Sequence, residues 1–182
     1  MYLYVYHGYQ GGAEGRRRTE ALVRRAAEQY IREERLNLGT VSGTILRTEN
    51  GKPYFKEVPI QFSVSHTGSL WVCLMDEDPV GVDIQQMRKC RSEKIAGRYY
   101  TPDEREYMEA MGESGFFRIW TRKEAYVKFT GEGINESMKN FSTLRGRGAA
   151  VSYTHLDVYK RQSLMCCWVR EAFQNFSVMW IC

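Results

Sequence analysis

Residues 70–86 have the sequence LWVCLMDEDPVGVDIQQ, in which two apolar runs flank a charged turn. Residues 70–75 and 80–84 each have the length and apolar content of a buried strand, and residues 76–79 supply the turn between them. We therefore expect an antiparallel hairpin here, with polar groups at its end.

The second of these strands carries two polar side chains on one face. Asp83 and Gln85 are two residues apart and point the same way, whereas Val82 and Ile84 point toward the core. Taken alone, an aspartate at the end of a strand is common in turns. The spacing still predicts that two oxygen ligands converge on one side of the sheet.

Amphipathic helices follow this strand. From residue 92 the apolar residues recur at helical spacing, and residues 101–104, TPDE, have the arrangement of an N-cap, a first-turn proline and a capping glutamate. We expect helices over residues 102–111 and 116–129, separated by glycines and ended by the GEG sequence at 131–133.

The part of the chain before residue 70 contains one long predicted helix among short strands. The predicted elements are, in order, a strand over 1–10, a helix over 19–36, a strand over 40–46, a turn at Asn50-Gly51, an extended segment over 52–55 and a strand over 61–65. Strands and helices alternate too rarely for a doubly wound parallel sheet, so we predict an α+β fold.

The composition is that of a globular chain. Of the 182 residues, 43% are hydrophobic and 26% are charged, and no apolar run is long enough to span a bilayer. The first ten residues, MYLYVYHGYQ, lack the basic and apolar segments of a signal peptide. We therefore expect a soluble cytoplasmic protein, and its five cysteines fit reduced thiols.

Basic residues are concentrated in the predicted first helix. The net charge is +4, and seven arginines lie between residues 16 and 35. A charge run of this kind is more often a solvated helix face than a binding site, although an anionic partner is an alternative. A nucleic-acid-binding module is disfavoured, because four glutamates are interspersed in the same stretch.

The densest polar motif is WTRKEAYVK at residues 120–128. Glu124 and Lys128 are four residues apart and therefore neighbours on one helix surface, with Trp120 one turn earlier. On its own, such a pair is usually an ordinary surface ion pair that stabilises the helix by roughly 0.2–0.5 kcal/mol.

Two motifs together resemble those of the Sfp-type 4'-phosphopantetheinyl transferases. That family has a Gly-Val/Ile-Asp strand followed by a Trp-(Ser/Thr)-x-Lys-Glu-(Ala/Ser)-x-x-Lys helix, and this chain has GVD at 81–83 and the helix motif at 120–128. Residues 62–67, FSVSHT, resemble the family's Ser-His motif, and residues 51–54, GKPY, resemble its Gly-Lys-Pro segment. The resemblance covers roughly residues 45–135.

The resemblance implies transfer of the 4'-phosphopantetheine group of coenzyme A to a serine of an acyl or peptidyl carrier protein, with Mg²⁺ as the cofactor. The implied metal ligands are Asp83, Gln85 and Glu124, and the implied catalytic residues are Asp83, Glu124 and Lys128. The residues implied to contact coenzyme A are Lys52, Ser65, His66 and Lys123. Many relatives carry Glu where this chain has Gln85, and a neutral amide predicts weaker metal binding or a metal-bound water.

The implied fold consists of two pseudo-symmetric α/β halves, with coenzyme A and Mg²⁺ between them. We place the first half at residues 1–78 and the second at 79–150. Residues 151–162, VSYTHLDVYKRQ, resemble a translated adapter or assembly scar, so we expect 151–182 to be a non-native tail. A catalytically impaired fragment is therefore the second hypothesis, because the last native strands would be missing.

Overall fold

The computed structural model describes residues 1–36 and 44–144 together with the backbone of residues 176–181. Its first sheet has three antiparallel strands in the order β1 (Tyr2–His7), β5 (Leu70–Asp76) and β4 (Gln61–Thr67). Every residue of β5 except Asp76 is buried, which explains its continuous apolar sequence. The three strands predicted in these regions are confirmed, and β4 extends two residues further than expected.

Helix α1 (Gly15–Glu33) packs on one face of this sheet. Its buried residues recur at helical spacing and form one core with side chains of β4 and β5, including Phe62 and Trp71. The helix begins four residues before the predicted start, since the arginines at 16–18 are good helix formers.

A small two-stranded hairpin lies between α1 and β4 in the chain. Strands β2 (Ile45–Arg47) and β3 (Pro53–Phe55) pair antiparallel, and the predicted turn between them is confirmed by Gly51, whose φ is 86°. The strand predicted over 40–46 begins at residue 45 within the described residues, and residues 37–43 lie outside them.

The predicted hairpin over residues 70–84 is wrong. Both edges of β5 are taken by β1 and β4, so β6 (Gly81–Gln86) lies in a separate sheet and pairs antiparallel with β7 (Phe176–Ile181). Strand β7 falls within the stretch 151–182 that we expected to be a non-native tail, yet its FSVMWI sequence is rich in residues favoured in strands. Residues 151–175 and residue 182 lie outside the described residues.

Strand β6 meets β4 through side-chain hydroxyl groups rather than through a backbone ladder. Alternate residues of β4 point toward β6, and each hydroxyl oxygen accepts a hydrogen bond from a backbone N–H of β6. The three pairs are Val82 with Ser63 at 3.0 Å, Ile84 with Ser65 at 3.2 Å and Gln86 with Thr67 at 3.3 Å. This row of hydroxyls fixes the register of the two sheets.

The helices after β6 follow the predicted pattern. Helix α2 (Ser92–Tyr99) precedes α3 (Pro102–Thr130), which is broken at Gly112, where φ is 63° and ψ is −145°. The two predicted helical segments are therefore confirmed as two arms joined at this glycine. At the C-terminal end of α3, Gly131 adopts a left-handed conformation with φ at 78°, as expected for a helix C-cap.

Gly81 allows β6 to lie directly against α3. A Cβ atom at this position would lie 2.2 Å from the carbonyl oxygen of Ala125 and 2.6 Å from the backbone nitrogen of Phe129. No side chain fits at these distances, so the glycine of the GVD motif sets the spacing between strand and helix. The carboxylate of Asp83 is brought to α3 as a result.

The fold is α+β, as predicted from the order of elements. Among the described residues, no helix is both long and apolar enough to cross a membrane.

Candidate active site

Asp83 lies in the middle of β6 and is fully buried. Its Oδ1 accepts hydrogen bonds from Ser65 Oγ at 2.8 Å and from Lys128 Nζ at 2.6 Å, and its Oδ2 accepts from Gln85 Nε2 at 3.1 Å. Both carboxylate oxygens are therefore hydrogen-bonded, as a buried charged group requires.

Glu124 and Lys128 lie one turn apart on α3 and face Asp83. The ammonium of Lys128 is 4.0 Å from Glu124 Oε2, so it lies within reach of both carboxylates. Burial and, to a smaller extent, the negative charge of Asp83 together raise the pKa of Glu124 to about 7 against the opposing effect of Lys128. The predicted i,i+4 neighbours thus belong to a three-residue cluster shared between a strand and a helix.

The Ser-His motif approaches the same cluster from β4. Ser65 is buried and bonded to Asp83, whereas His66 is exposed and its ring lies 4.8 Å from the ring of Tyr9. Partial desolvation of the imidazole lowers the pKa of His66, and the nearby Lys128 lowers it further against the opposing charge of Asp83. A largely neutral imidazole at neutral pH follows from both effects.

Two adjoining cavities meet at this cluster. The larger, of about 600 Å³, is lined by six of the predicted site residues. They are Ser65, His66, Asp83, Gln85, Glu124 and Lys128. The smaller, of about 290 Å³, is lined mainly by apolar residues and shares Glu124 and Lys128 with the larger one. Both volumes are in the range of ordinary ligand sites.

Lys52 lines the smaller cavity at the C-terminal end of α3. Its ammonium donates to the carbonyl oxygen of Phe129 at 2.6 Å, and burial lowers its pKa. The end of a helix favours a cation, because its last carbonyl groups have no partner within the helix. Lys52 is thereby held close to the cluster without contacting its carboxylates.

Lys123 does not face either cavity, which corrects the sequence-based assignment of this residue to coenzyme A binding. Its side chain is fully buried, pairs with Glu104 Oε2 at 2.9 Å and donates to the carbonyl oxygens of Met138 and Phe141. An ammonium has three protons, and all three are used inside the protein. Lys123 therefore links the backbone at Met138 and Phe141 to α3.

The donor set of the cluster fits the implied metal. Among the described residues, no group of three or more His, Cys, Asp and Glu side chains could hold a metal ion. The cluster offers the carboxylates of Asp83 and Glu124 together with the Gln85 amide. Mg²⁺ suits such a set, because it prefers oxygen, takes few protein carboxylates and keeps water or phosphate as further ligands.

Tyr9, Arg47 and Arg16 are among the residues that line the larger cavity without having been named as site residues from the sequence. Tyr9 donates its hydroxyl to the Gly15 carbonyl oxygen and packs against the ring of His66, while Arg47 lines both cavities. Arg16 also lines the larger one. The arginine run pointed to Arg16, but a single arginine on a three-residue strand gives no signal in sequence.

Comparisons with known proteins identify the family. Residues 79–178 match the 4'-phosphopantetheinyl transferase superfamily. The chain is 36% identical over 106 residues to 4'-phosphopantetheinyl transferase psf-1 of Bacillus pumilus, which covers 54% of this chain and 44% of that protein. It is 29% identical over 109 residues to 4'-phosphopantetheinyl transferase Sfp of Bacillus subtilis (strain 168), covering 57% of this chain and 48% of that protein.

The match to the Bacillus proteins thus spans less than half of their length. A longer match is to 4'-phosphopantetheinyl transferase AcpT of Escherichia coli (strain K12), 31% identical over 144 residues, which covers 75% of this chain and 72% of that protein. The superfamily match itself extends over more than half of the 182 residues. This chain therefore belongs to the 4'-phosphopantetheinyl transferase superfamily.

Proposed function

We propose that this chain transfers the 4'-phosphopantetheine group of coenzyme A to a serine of an acyl or peptidyl carrier protein, with Mg²⁺ as its cofactor. The observation that carries the proposal is the convergence of Asp83 from β6 with Glu124 and Lys128 from α3 at one cavity. The names of the relatives, all 4'-phosphopantetheinyl transferases, support the reaction class.

Asp83 and Glu124 would hold the metal, with the amide oxygen of Gln85 as a third donor. When bound, Mg²⁺ would offset the negative charge of the coenzyme A pyrophosphate. The Gln85 amide now donates to Asp83, so ligation requires it to rotate and present its oxygen. Because an amide carries no charge, we expect weaker metal binding than a third carboxylate would give.

The proposed reaction is attack of the carrier serine hydroxyl on the β-phosphorus of coenzyme A. A bond forms between the serine oxygen and phosphorus, the bond from phosphorus to the bridging oxygen breaks, and 3',5'-ADP leaves with that electron pair. Glu124 accepts the serine proton, directly or through water, with the carboxylate oxygen that does not hold the metal. Lys128 donates a hydrogen bond to the leaving phosphate.

We assign the phosphates of coenzyme A to the two adjoining cavities, with His66 and Lys52 as contacts. Lys52 contributes a positive charge beside the smaller cavity, and His66 contributes a ring nitrogen at the edge of the larger one. Positioning and charge neutralisation account for most of the catalysis in transfers of this kind.

We also propose that residues 1–78 and 79–150 form two similar halves on either side of the cleft, since the superfamily match begins at residue 79. The basic start of α1 faces this cleft through Arg16, and it would attract an acidic carrier protein or the 3'-phosphate of coenzyme A. Reversing the charges of Arg16, Arg17 and Arg18 should weaken carrier binding and reduce its dependence on salt.

The test of the proposal is release of 3',5'-ADP. Incubation of the full chain with coenzyme A, Mg²⁺ and an apo carrier protein should liberate the nucleotide, measured by liquid chromatography. Release should stop when EDTA removes the metal and when the carrier serine is replaced by alanine. Release that is independent of the carrier serine would mean hydrolysis of coenzyme A and would contradict transfer.

A further inference from the structure

We infer that Ser65 is a positioning residue for Asp83 rather than a contact for coenzyme A, an inference that rests on the proposed function. Ser65 Oγ makes two hydrogen bonds, to Asp83 Oδ1 at 2.8 Å and to the backbone nitrogen of Ile84 at 3.2 Å. The Ile84 N–H can only donate and a carboxylate can only accept. The single hydroxyl proton of Ser65 is therefore directed to Asp83, and none remains for a phosphate.

Ser63 supplies an internal comparison two residues earlier on the same face of β4. Its Oγ accepts from the Val82 N–H at 3.0 Å, which is the same contact that Ser65 makes with Ile84. Both serines are buried, with 4% and 7% of their surface exposed. Of these two serines, Ser65 alone has a recorded hydrogen bond to a carboxylate among the described residues. The two therefore differ in their contact with Asp83.

The other two donors to Asp83 have longer side chains and are less buried than Ser65. Lys128 has four side-chain torsions and 31% of its side chain exposed, and Gln85 is half-buried with three torsions. In the proposed reaction both residues change partners, Lys128 toward phosphate and Gln85 toward the metal. Ser65 has one torsion on a strand that is paired along its whole length with β5, so it holds the carboxylate while the other donors leave.

Groups that hydrogen-bond to a metal-ligating side chain affect metal affinity. A hydrogen bond that orients a metal-ligating side chain typically contributes a factor of about 10–100 in metal affinity. Without the Ser65 hydroxyl, Asp83 would keep only the donors that change partners in the proposed reaction, and metal binding must then order its carboxylate.

The experiment measures Mn²⁺ binding to the full chain by loss of the free-ion signal in electron paramagnetic resonance. Ser65→Ala should bind Mn²⁺ about 10–100 times more weakly than the wild type. Ser63→Ala, which loses the matching contact to the β6 backbone, should stay within about twofold of the wild type. Ser65→Thr, which keeps the hydroxyl, should restore most of the affinity. Thermal unfolding of each variant separates this effect from a general loss of stability.

Equal Mn²⁺ affinities for Ser65→Ala and Ser63→Ala would overturn the inference and leave the proposed function intact. The inference is likewise overturned if Ser65→Ala retains Mn²⁺ but loses affinity for coenzyme A, because Ser65 would then be a cofactor contact. A folded wild type that binds no Mn²⁺ would overturn both the inference and the metal-dependent function. Should Ser65→Ala not fold, Ser65→Cys keeps a similar side chain with a weak donor, and the same direction of change is expected.

Discussion

The ammonium of Lys128 lies 2.6 Å from Asp83 Oδ1 and 4.0 Å from Glu124 Oε2. One side chain on α3 thus interacts with two carboxylates that come from different elements of the fold. In the proposed function, Mg²⁺ supplies this positive charge and Lys128 turns to the phosphate. The metal and the ammonium therefore compete for the same carboxylate oxygens.

Lys128→Met is expected to bind Mn²⁺ about tenfold more tightly than the wild type while losing transfer activity. The reason is that the metal no longer has to displace a charge-assisted hydrogen bond, which is worth about 1.5–3 kcal/mol. Lys52→Met removes the same charge from a nearby lysine that contacts a carbonyl group instead of the carboxylates, and its effect on affinity should be smaller. Weaker Mn²⁺ binding by Lys128→Met would show that the lysine assists the metal.

The raised pKa of Glu124 predicts a particular dependence of stability on pH. Between its ordinary value of 4.5 and about 7, the folded protein keeps a proton that the unfolded chain has lost. The free energy of unfolding therefore falls as pH rises through this window. Glu124→Gln should flatten that slope and be more stable than the wild type above pH 7, as measured by urea unfolding at several pH values.

Glu132→Gln is the matched control for this measurement, because Glu132 is exposed on the turn after α3. It should keep the wild-type slope. If Glu124→Gln also keeps that slope, the carboxyl of Glu124 titrates near its ordinary value, and the raised pKa is contradicted.

Gly81→Ala should destabilise the protein by about 1–3 kcal/mol, the usual cost of overpacking. The added methyl group would lie 2.2 Å from the Ala125 carbonyl oxygen, so β6 must move away from α3 and carry Asp83 with it. We also expect weaker Mn²⁺ binding in this variant. Gly97→Ala in α2 is the control: no heavy atom lies within 4 Å of the new methyl group, and alanine favours a helix. Similar unfolding midpoints for the two variants would contradict the close-approach account.

Lys123→Met should destabilise the protein by about 3–5 kcal/mol, because Glu104 would remain buried without its ion-pair partner. The double variant Glu104→Gln with Lys123→Met should recover much of this loss.

At low temperature, where Lys123→Met is folded, its affinity for coenzyme A should stay within about twofold of the wild type. Isothermal titration measures both this affinity and that of Lys52→Met, which should be reduced. A selective loss of coenzyme A affinity in Lys123→Met would restore the assignment of this lysine to coenzyme A binding.

Local patterns predicted most of the elements of this fold. The helical spacing of α1, the TPDE start of α3 and the apolar run of β5 each depend on neighbouring residues, and the structure has an element at each position. Pairing between strands depends on distant residues instead. The sequence of 70–86 has the pattern of a hairpin, but β1 competes for the edge of β5, and nothing local to residues 70–86 indicates that competition.

The residues of the candidate site fall into the same two groups, those indicated by local motifs and those placed by distant contacts. Asp83, Glu124 and Lys128 belong to short motifs, and the structure brings all three together. Lys123 belongs to the same helix motif but pairs with Glu104, nineteen positions earlier in the chain, and lines neither cavity. Arg47 and Tyr9 reach the cavity only through tertiary packing, which explains why residue patterns did not select them.

The most direct test of the central claim is the intact mass of an apo carrier protein after incubation with this chain, coenzyme A and Mg²⁺. The wild type and Glu132→Gln should add the mass of one phosphopantetheine group to the carrier serine, and Glu124→Ala should add none. A folded wild-type sample that leaves both acyl and peptidyl carriers unchanged, or a mass gain that persists in Glu124→Ala, would contradict the account.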